Sequence, residues 1–310
     1  MGQLNKKYVV LLLLVWAWQL KAQNNNLGLK DSVTLLQEVA VSGGLNETAV
    51  KVGLDVAQAY VTSNLADILQ QYSLVPIKSY GLGSLATLSV RGSSVNHTPI
   101  YWNGFNIQSP MNGLYDVALV PFEAVDELEV QYGNNRHNMN LGGIGGSIHL
   151  NQSIAKQKGF TASTEQIIGS FGKYNQSYKL TYSKDTYALD VRTFYHKSEN
   201  DFPFVNTAQL GNPMAYQKNA AIEQQGFIVG LNKQIKPTEN FKLHVWQQSS
   251  KRQIPPSLTT ASAAVNRAKQ YDKTWRITTS WLGVYEKISY EVKGAFFDEQ
   301  IVFHDANIDL

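Results

Sequence analysis

Few residues of this 310-residue chain are of types that do chemistry, and their spacing suits none of the common reactions. Gly81-Leu82-Gly83-Ser84-Leu85-Ala86 matches the glycine pattern of a dinucleotide site. Such a site needs a helix behind the glycines, whose N-terminus meets the pyrophosphate. Thr87-Leu88-Ser89-Val90-Arg91 follows instead, a run that favours a strand. The six histidines are scattered. His196 and His244 fall on the polar face of alternating segments, where solvated side chains are expected rather than metal ligands. Glu286 with Glu291, and Asp298 with Glu299, are expected as charged strand or loop positions rather than an acid–base pair. No phosphate-binding loop, His-Glu-x-x-His or Gly-x-Ser-x-Gly occurs. The absence of Cys excludes a disulfide scaffold, a thiolate metal site and a Cys nucleophile. With 27 basic against 24 acidic residues and no basic cluster, the chain lacks the footprint of a nucleic-acid binder. No catalytic residue, metal or cofactor is expected, so the elements must carry the function.

The first 22 residues are an address. Lys6 and Lys7 precede the apolar run from Tyr8 to Trp18, and Leu20-Lys21-Ala22 ends in the small residue that a signal peptidase requires. That run is shorter than the roughly 20 residues of a spanning helix. Cleavage near Ala22 removes three lysines and no acid, which leaves the chain formally neutral. Residues 23–44 are expected as a polar arm ending in Glu38-Val39-Ala40-Val41-Ser42-Gly43-Gly44. That last stretch is extended and bounded by glycines. It is either an ordinary first strand or a free edge for a partner's sheet.

Residues 45–153 read as one α/β unit. Asn64 is placed to cap a short helix with Leu65, Ile68 and Leu69 on one side. Leu85 to Arg91 and Leu128 to Val130 are strand formers. Asn103-Gly104 between Ile100-Tyr101-Trp102 and Phe105-Asn106-Ile107 predicts a tight hairpin, since both central residues accept positive φ. Gly142 to Gly146 is expected as a mobile, turning loop before a closing strand from Ser147 to Leu150.

From about residue 160 strict alternation takes over. Tyr187, Leu189, Val191 and Tyr195 oppose Asp190, Arg192 and His196; Phe241, Leu243 and Val245 oppose Lys242 and His244. Trp275, Ile277 and Trp281 oppose Arg276, Thr278 and Ser280. A soluble sandwich also alternates. Here, however, the polar face is charged, as a wet lumen permits, and the apolar runs begin and end in aromatics. Tyr187 to Tyr195 makes roughly 30 Å of strand. Tilted about 40°, that rises roughly 23 Å, close to the apolar band of a membrane barrel.

Leu65-Ala66-Asp67-Ile68-Leu69-Gln70, Ser79-Tyr80-Gly81, Leu88-Ser89-Val90-Arg91-Gly92, Asn103-Gly104-Phe105, Leu119-Val120-Pro121, Ala124 to Val130 and Gly145-Gly146-Ser147-Ile148 stand in one order. Together they resemble the plug domain of TonB-dependent outer-membrane receptors. Gly169 to Tyr174 and Asn200-Asp201-Phe202-Pro203-Phe204 resemble the first barrel strands and loop of cobalamin-receptor-like, Bacteroidetes-type members. Tyr132-Gly133-Asn134 departs from the family's Arg-Gly-Pro, and Met139-Asn140 replaces its aromatic-Gly turn; Arg136 is nearby.

The resemblance implies an α+β plug domain (45–153) followed by the N-terminal part of an antiparallel transmembrane β-barrel, its first seven or eight strands, in residues 160–310. The family's barrel has more strands, so the sequence is expected to be an N-terminal fragment of a longer protein. It further implies energy-coupled uptake of a scarce or bulky small molecule or oligosaccharide (cobalamin, iron chelate or glycan) across a Gram-negative outer membrane. Glu38, Val39, Ala40, Val41 and Ser42 would be the box that pairs with a TonB-type energy-transducing protein of the inner membrane. Tyr80, Leu82, Gln108, Ser109, Pro110, Met111, Asn112 and Tyr115 would form the ligand-facing apex of the plug. Arg91 would lock plug to barrel through a buried ion pair with barrel carboxylates. Membrane lipid would surround the barrel. The alternative is a secreted β-rich glycan-binding or glycan-hydrolysing protein, which would need converging carboxylates that are not legible here.

Overall fold

The computed structural model describes residues 49–52, 64–79, 84–111, 113–133, 143, 145–154, 158–256 and 268–305. The expected leader, the arm with Glu38, Val39, Ala40, Val41 and Ser42, and the apex residues Tyr80, Leu82 and Asn112 lie outside the described residues.

The first sheet has the order β1 (Ala49–Val52), β6 (Glu127–Tyr132), β7 (Gly146–Asn151), β4 (Ile100–Trp102), β5 (Phe105–Asn106). Only β4 and β7 run parallel; the other neighbours are antiparallel. The β4–β5 turn is the expected Asn-Gly hairpin, with Asn103 at φ +50° and Gly104 at φ +87°. Beside the sheet lie a two-stranded hairpin, β2 (Ile77–Ser79) with β3 (Ala86–Leu88), and one helix, α1 (Leu65–Tyr72). Asn64 caps α1 as its sequence requires: its side-chain oxygen accepts from the Asp67 amide at 3.1 Å. The helix buries Leu65, Ile68 and Leu69 against Val90, Ile100, Val117, Val120, Leu128, Val130 and Ile148.

Two expectations for this region are corrected. The strand expected from Leu85 to Arg91 stops at Leu88, because the chain turns at Arg91 (φ +53°) and Gly92 (φ +72°) and closes a Ser93-to-Val90 backbone hydrogen bond. Gly143 and Gly145 do not belong to an open loop. A Cβ at Gly143 would collide with the His97 carbonyl, and one at Gly145 with the Val90 carbonyl. Glycine is required there because two backbones touch.

The second sheet contains seven antiparallel strands in chain order: β8 (Gly159–Ile168), β9 (Tyr174–Lys184), β10 (Tyr187–Ser198), β13 (Ile222–Lys236), β14 (Glu239–Gln253), β15 (Lys269–Tyr285) and β16 (Ile288–His304). A short hairpin, β11 (Pro203–Val205) with β12 (Met214–Tyr216), sits in the β10–β13 connection. Among the described residues the sheet does not close, and β8 and β16 stand at its edges. One end carries two-residue turns, Asp185-Thr186, Pro237-Thr238 and Glu286-Lys287; the other carries the connections 169–173, 199–221 and 254–268.

The register confirms the alternation. Leu189, Leu231 and Leu243 form one row across the outer face, and Val191, Val229, Val245, Ile277 and Phe296 the next. The opposite face is covered by the first sheet and its loops. Phe194, Ile228 and Trp246 of that inner face join the core of the first unit, where Trp246 meets Trp102 edge-on at 5.4 Å.

Candidate functional site

Each of the three arginines in the seven strands points to the face that carries the first unit. Arg192 on β10 is almost fully buried, and its Nη2 lies 2.7 Å from Asp126 Oδ2. Its Nη1 donates to the Glu123 carbonyl at 2.8 Å, and its Nε reaches Asp190 at 2.5 Å on the same strand. Thr181 donates to the second oxygen of Asp190, and Lys179 stands 3.6 Å from Asp126. Arg252 on β14 pairs with Asp116, whose other oxygen accepts from the Ala86 and Ala118 amides. Arg276 on β15 donates to the Tyr115 hydroxyl at 3.0 Å and to Glu299 at 2.7 Å, while its guanidinium lies over the Trp246 ring at 4.5 Å. Burial pushes the Tyr115 hydroxyl up to about 12, against the opposing pull of Arg276, so it stays protonated and accepts from the arginine.

Neutral groups complete the seam. Gln224 and Gln248 both donate to the Leu119 carbonyl, at 2.8 and 2.9 Å. His196 Nε2 lies 3.1 Å from Glu123 Oε1. His244 is buried edge-on to Trp102. The expectation of solvated histidines is therefore corrected: the first unit occupies the space that would have held water. Buried polar groups of this kind need partners; the seam supplies them to Gln224, Gln248 and His196, while His244 Nε2, Glu123 Oε2 and Arg252 Nε are buried without one.

The expected lock, Arg91, sits elsewhere. It is exposed, its guanidinium lies 5.8 Å from the centre of the Tyr132 ring, and among the described residues no ion pair joins it to a strand of the wall. The left-handed turn at Arg91-Gly92 holds it over Tyr132-Gly133. The ties to the seven strands have the opposite polarity: carboxylates Asp116 and Asp126 of the first unit meet arginines of the wall. Spacing alone could have hinted at this, since Arg192, Arg252 and Arg276 all occupy polar-face positions.

The expected apex residues divide. Gln108 is turned inward, donating to the Gly113 carbonyl at 2.8 Å, and braces its own loop. The Ser109 amide donates to the Leu114 carbonyl, and its hydroxyl accepts from the Met111 amide. Pro110 is exposed, and Met111 is 82% exposed. Tyr115 belongs to the Arg276 contact rather than to a free apex.

At the long-connection end, a cavity of about 720 Å³ opens between Ser84-Leu85, Phe202 and Phe204, and Ile254-Pro255-Pro256, with Arg252 at its side. Ser84 also lines a polar cleft of about 310 Å³ beside α1, which Asp67, Lys173 and His196 share. Aromatic and proline walls with a few polar groups suit a ligand of mixed character.

A plug-like α/β unit is thus tied by polar contacts to the inner face of an antiparallel sheet whose outer face is apolar. Residues 46–147 match the model of the TonB-dependent Receptor Plug Domain family. The chain carries that plug domain and the barrel strands that follow it in TonB-dependent receptors. It is 31% identical over 114 residues to the Vitamin B12 transporter BtuB of Vibrio vulnificus strain YJ016, a match that covers 36% of this chain and 18% of that one. The siderophore receptor PiuA from Acinetobacter baumannii superposes with a TM-score of 0.64 at 13% identity, over 83% of this chain and 37% of the receptor. The FrpB iron transporter from Neisseria meningitidis gives 0.64 at 11%, over 84% and 40%. The chain thus spans less than half the length of the relatives that it matches.

Proposed function

We propose that this chain supplies the gate and part of the wall of an outer-membrane receptor for energy-coupled uptake of a scarce or bulky ligand. The observation that carries this is the seam. The plug is fastened to the wall by polar clusters around Arg192, Arg252 and Arg276 and by one apolar contact of Phe194, Ile228 and Trp246 rather than by continuous strand pairing. Such contacts hold a closed state, and because no strand of the plug pairs with a strand of the wall, the backbone hydrogen bonds of both sheets stay intact when the contacts part. Short turns face the periplasm and long connections the exterior in such barrels. The 720 Å³ cavity then opens outward, above the plug. Ligand enters there, between Phe202, Phe204 and the Pro255-Pro256 wall. Glu38 to Ser42 pairs as an added strand with a TonB-type protein of the inner membrane, and the pull rearranges the plug to open a path. No bond of the ligand is made or broken, so no catalytic group is called for.

Cobalamin is the first ligand to test, with iron chelates and glycans beside it. Cells lacking the gene and cells carrying it in full are given each labelled compound. Gene-dependent accumulation of one compound is the expected result. Recovery of the protein in the soluble periplasm after fractionation would contradict the reading.

A further inference from the structure

At the end of the wall with the two-residue turns, a second cavity of about 600 Å³ opens on the inner face. Ser183, Ala188, Asn232, Asn240 and Leu282 line it, all from the face that carries Arg192 and Arg276. Among the described residues none of the first unit lines it. Each carboxylate of the lining is balanced: Asp185 by Lys158 at 2.6 Å, Glu239 by Lys236 at 2.7 Å and Glu291 by Lys293 at 3.0 Å. One polar atom is not satisfied. Asn232 Oδ1 is buried without a partner, a state that buried acceptors rarely keep.

The part of the plug that reaches this end is the turn Asn103-Gly104. A Cβ on Gly104 would lie 3.5 Å from Lys293 Nζ, and Asn103 Nδ2 donates to Thr278 Oγ1 at 3.4 Å. From there the chain passes through β5 and meets β15 again at Tyr115 and Arg276. β5 is an edge strand that pairs at only two positions, Tyr101 with Asn106 and Trp102 with Phe105. Phe297, opposite Arg276, adds apolar packing. Neither hydrogen bond to β15 is an ion pair. When Tyr115 leaves, Arg276 keeps Glu299. Parting Asp126 from Arg192, or Asp116 from Arg252, breaks a largely buried ion pair instead, which is the costlier event. The seam therefore parts first along β15.

We infer that the 600 Å³ cavity is a second ligand site on the way out, reached along β15, and that it takes an uncharged molecule rich in amide or hydroxyl groups. A lining of balanced charges gives an ion no net attraction. Asn232, Asn240 and Ser183 offer neutral polar contacts, and Asn232 Oδ1 still lacks a donor. The inference rests on the uptake reading proposed above.

The test uses the complete gene product in cells. The probes are labelled cobalamin and an oligosaccharide, both neutral overall, and an anionic ferric tricatecholate. The 310 residues contain no Cys, so an introduced thiol is distinctive. Asn240→Cys and Gln234→Cys each place one on the cavity wall. Thr161→Cys places one on the inner face of β8, outside the cavity. Each variant is assembled first and then treated with a bulky maleimide, with the treated parent as baseline. Because the block is added to the folded protein, folding damage does not enter. Treatment of the two cavity variants should abolish accumulation of a neutral probe and leave its binding at the cell surface as it was before treatment. Treatment of the Thr161→Cys variant should leave both unchanged. Accumulation that survives modification in the cavity, or an equal loss in the Thr161→Cys variant, would overturn the proposal. Accumulation of the anionic probe alone by the parent would overturn it as well. These results leave the uptake reading standing, whereas no gene-dependent accumulation of any probe would remove both.

Discussion

The inner and outer faces of the same seven strands are read from one alternating pattern, yet they obey different rules. On the outer face, Leu189, Val229, Val245 and Ile277 form apolar rows, and under the proposed membrane location any apolar residue of similar size serves there. On the inner face, Asp190, Arg192, Thr278 and Arg276 are as buried as a protein core. They are polar not because they are wet but because each has a partner in the plug or on a neighbouring strand. The first face is specified by composition, the second by pairing. A polar strand face in a barrel therefore signals either water or a docked domain, and only the partner residues tell which.

The largest effect that would break this contrast is expected at Arg192. Arg192→Met leaves Asp126 and Asp190 with only the more distant Lys179 ammonium, at 3.6 and 3.9 Å, which costs about 3 kcal/mol. The same residue type at the next position, Val191→Met on the outer face, should change stability by less than about 0.5 kcal/mol. Thermal melting of the two variants in detergent, with protease sensitivity of the plug as a second readout, compares them. Equal melting points would mean that the Arg192 cluster does not fasten the plug.

A charge placed on the outer face sharpens the same contrast. Val229→Arg should cost about 2–4 kcal/mol near the middle of the apolar band. The penalty should shrink at Gln225, four residues toward the long-connection end, where the surface is already polar. Folding yield into vesicles measures both. A smaller step is Tyr115→Phe, which removes the hydroxyl that accepts from Arg276 and should cost about 1 kcal/mol. Because Glu299 also holds Arg276, the wall itself should keep its register.

The smallest expected effect is a pH dependence within the plug. His149 on β7 stacks on Tyr101 at 5.0 Å, and its Nε2 lies 2.8 Å from the Ser147 hydroxyl. Burial lowers its pKa, partly offset by Glu129. The unfolded chain then binds a proton more readily than the folded one below about pH 6.5. Plug stability should be complete above that value and decline as the pH falls from it toward the lowered folded pKa. His149→Gln should flatten that decline; an unchanged slope in melts between neutral and mildly acidic pH would remove His149 as its cause.

How much of this was legible in the sequence follows the range of the forces involved. Local signals read correctly: Asn64 caps its helix, Asn103-Gly104 turns its hairpin, and alternation assigns each face of β10, β14 and β15. These depend on a few neighbouring residues. The pairing of Asp126 with Arg192, or of Asp116 with Arg252, joins positions far apart in the chain, and nothing local in a carboxylate shows that it will be buried. The surroundings of Arg91 are not legible for the same reason. Its place depends on a left-handed turn and on Tyr132, where the family pattern has arginine. Tyr115 looked like a loop tip, and only the approach of Arg276 makes it part of the seam.

The central claim is that the plug is a gate moved from its N-terminal side. Proline within an added strand removes the backbone donor that pairing needs. Val41→Pro in the complete gene product, measured as accumulation of the labelled ligand against its binding at the cell surface, tests this most directly. The account predicts surface binding at the parental level with accumulation abolished. Accumulation at the parental rate would contradict it and leave Glu38 to Ser42 as a linker.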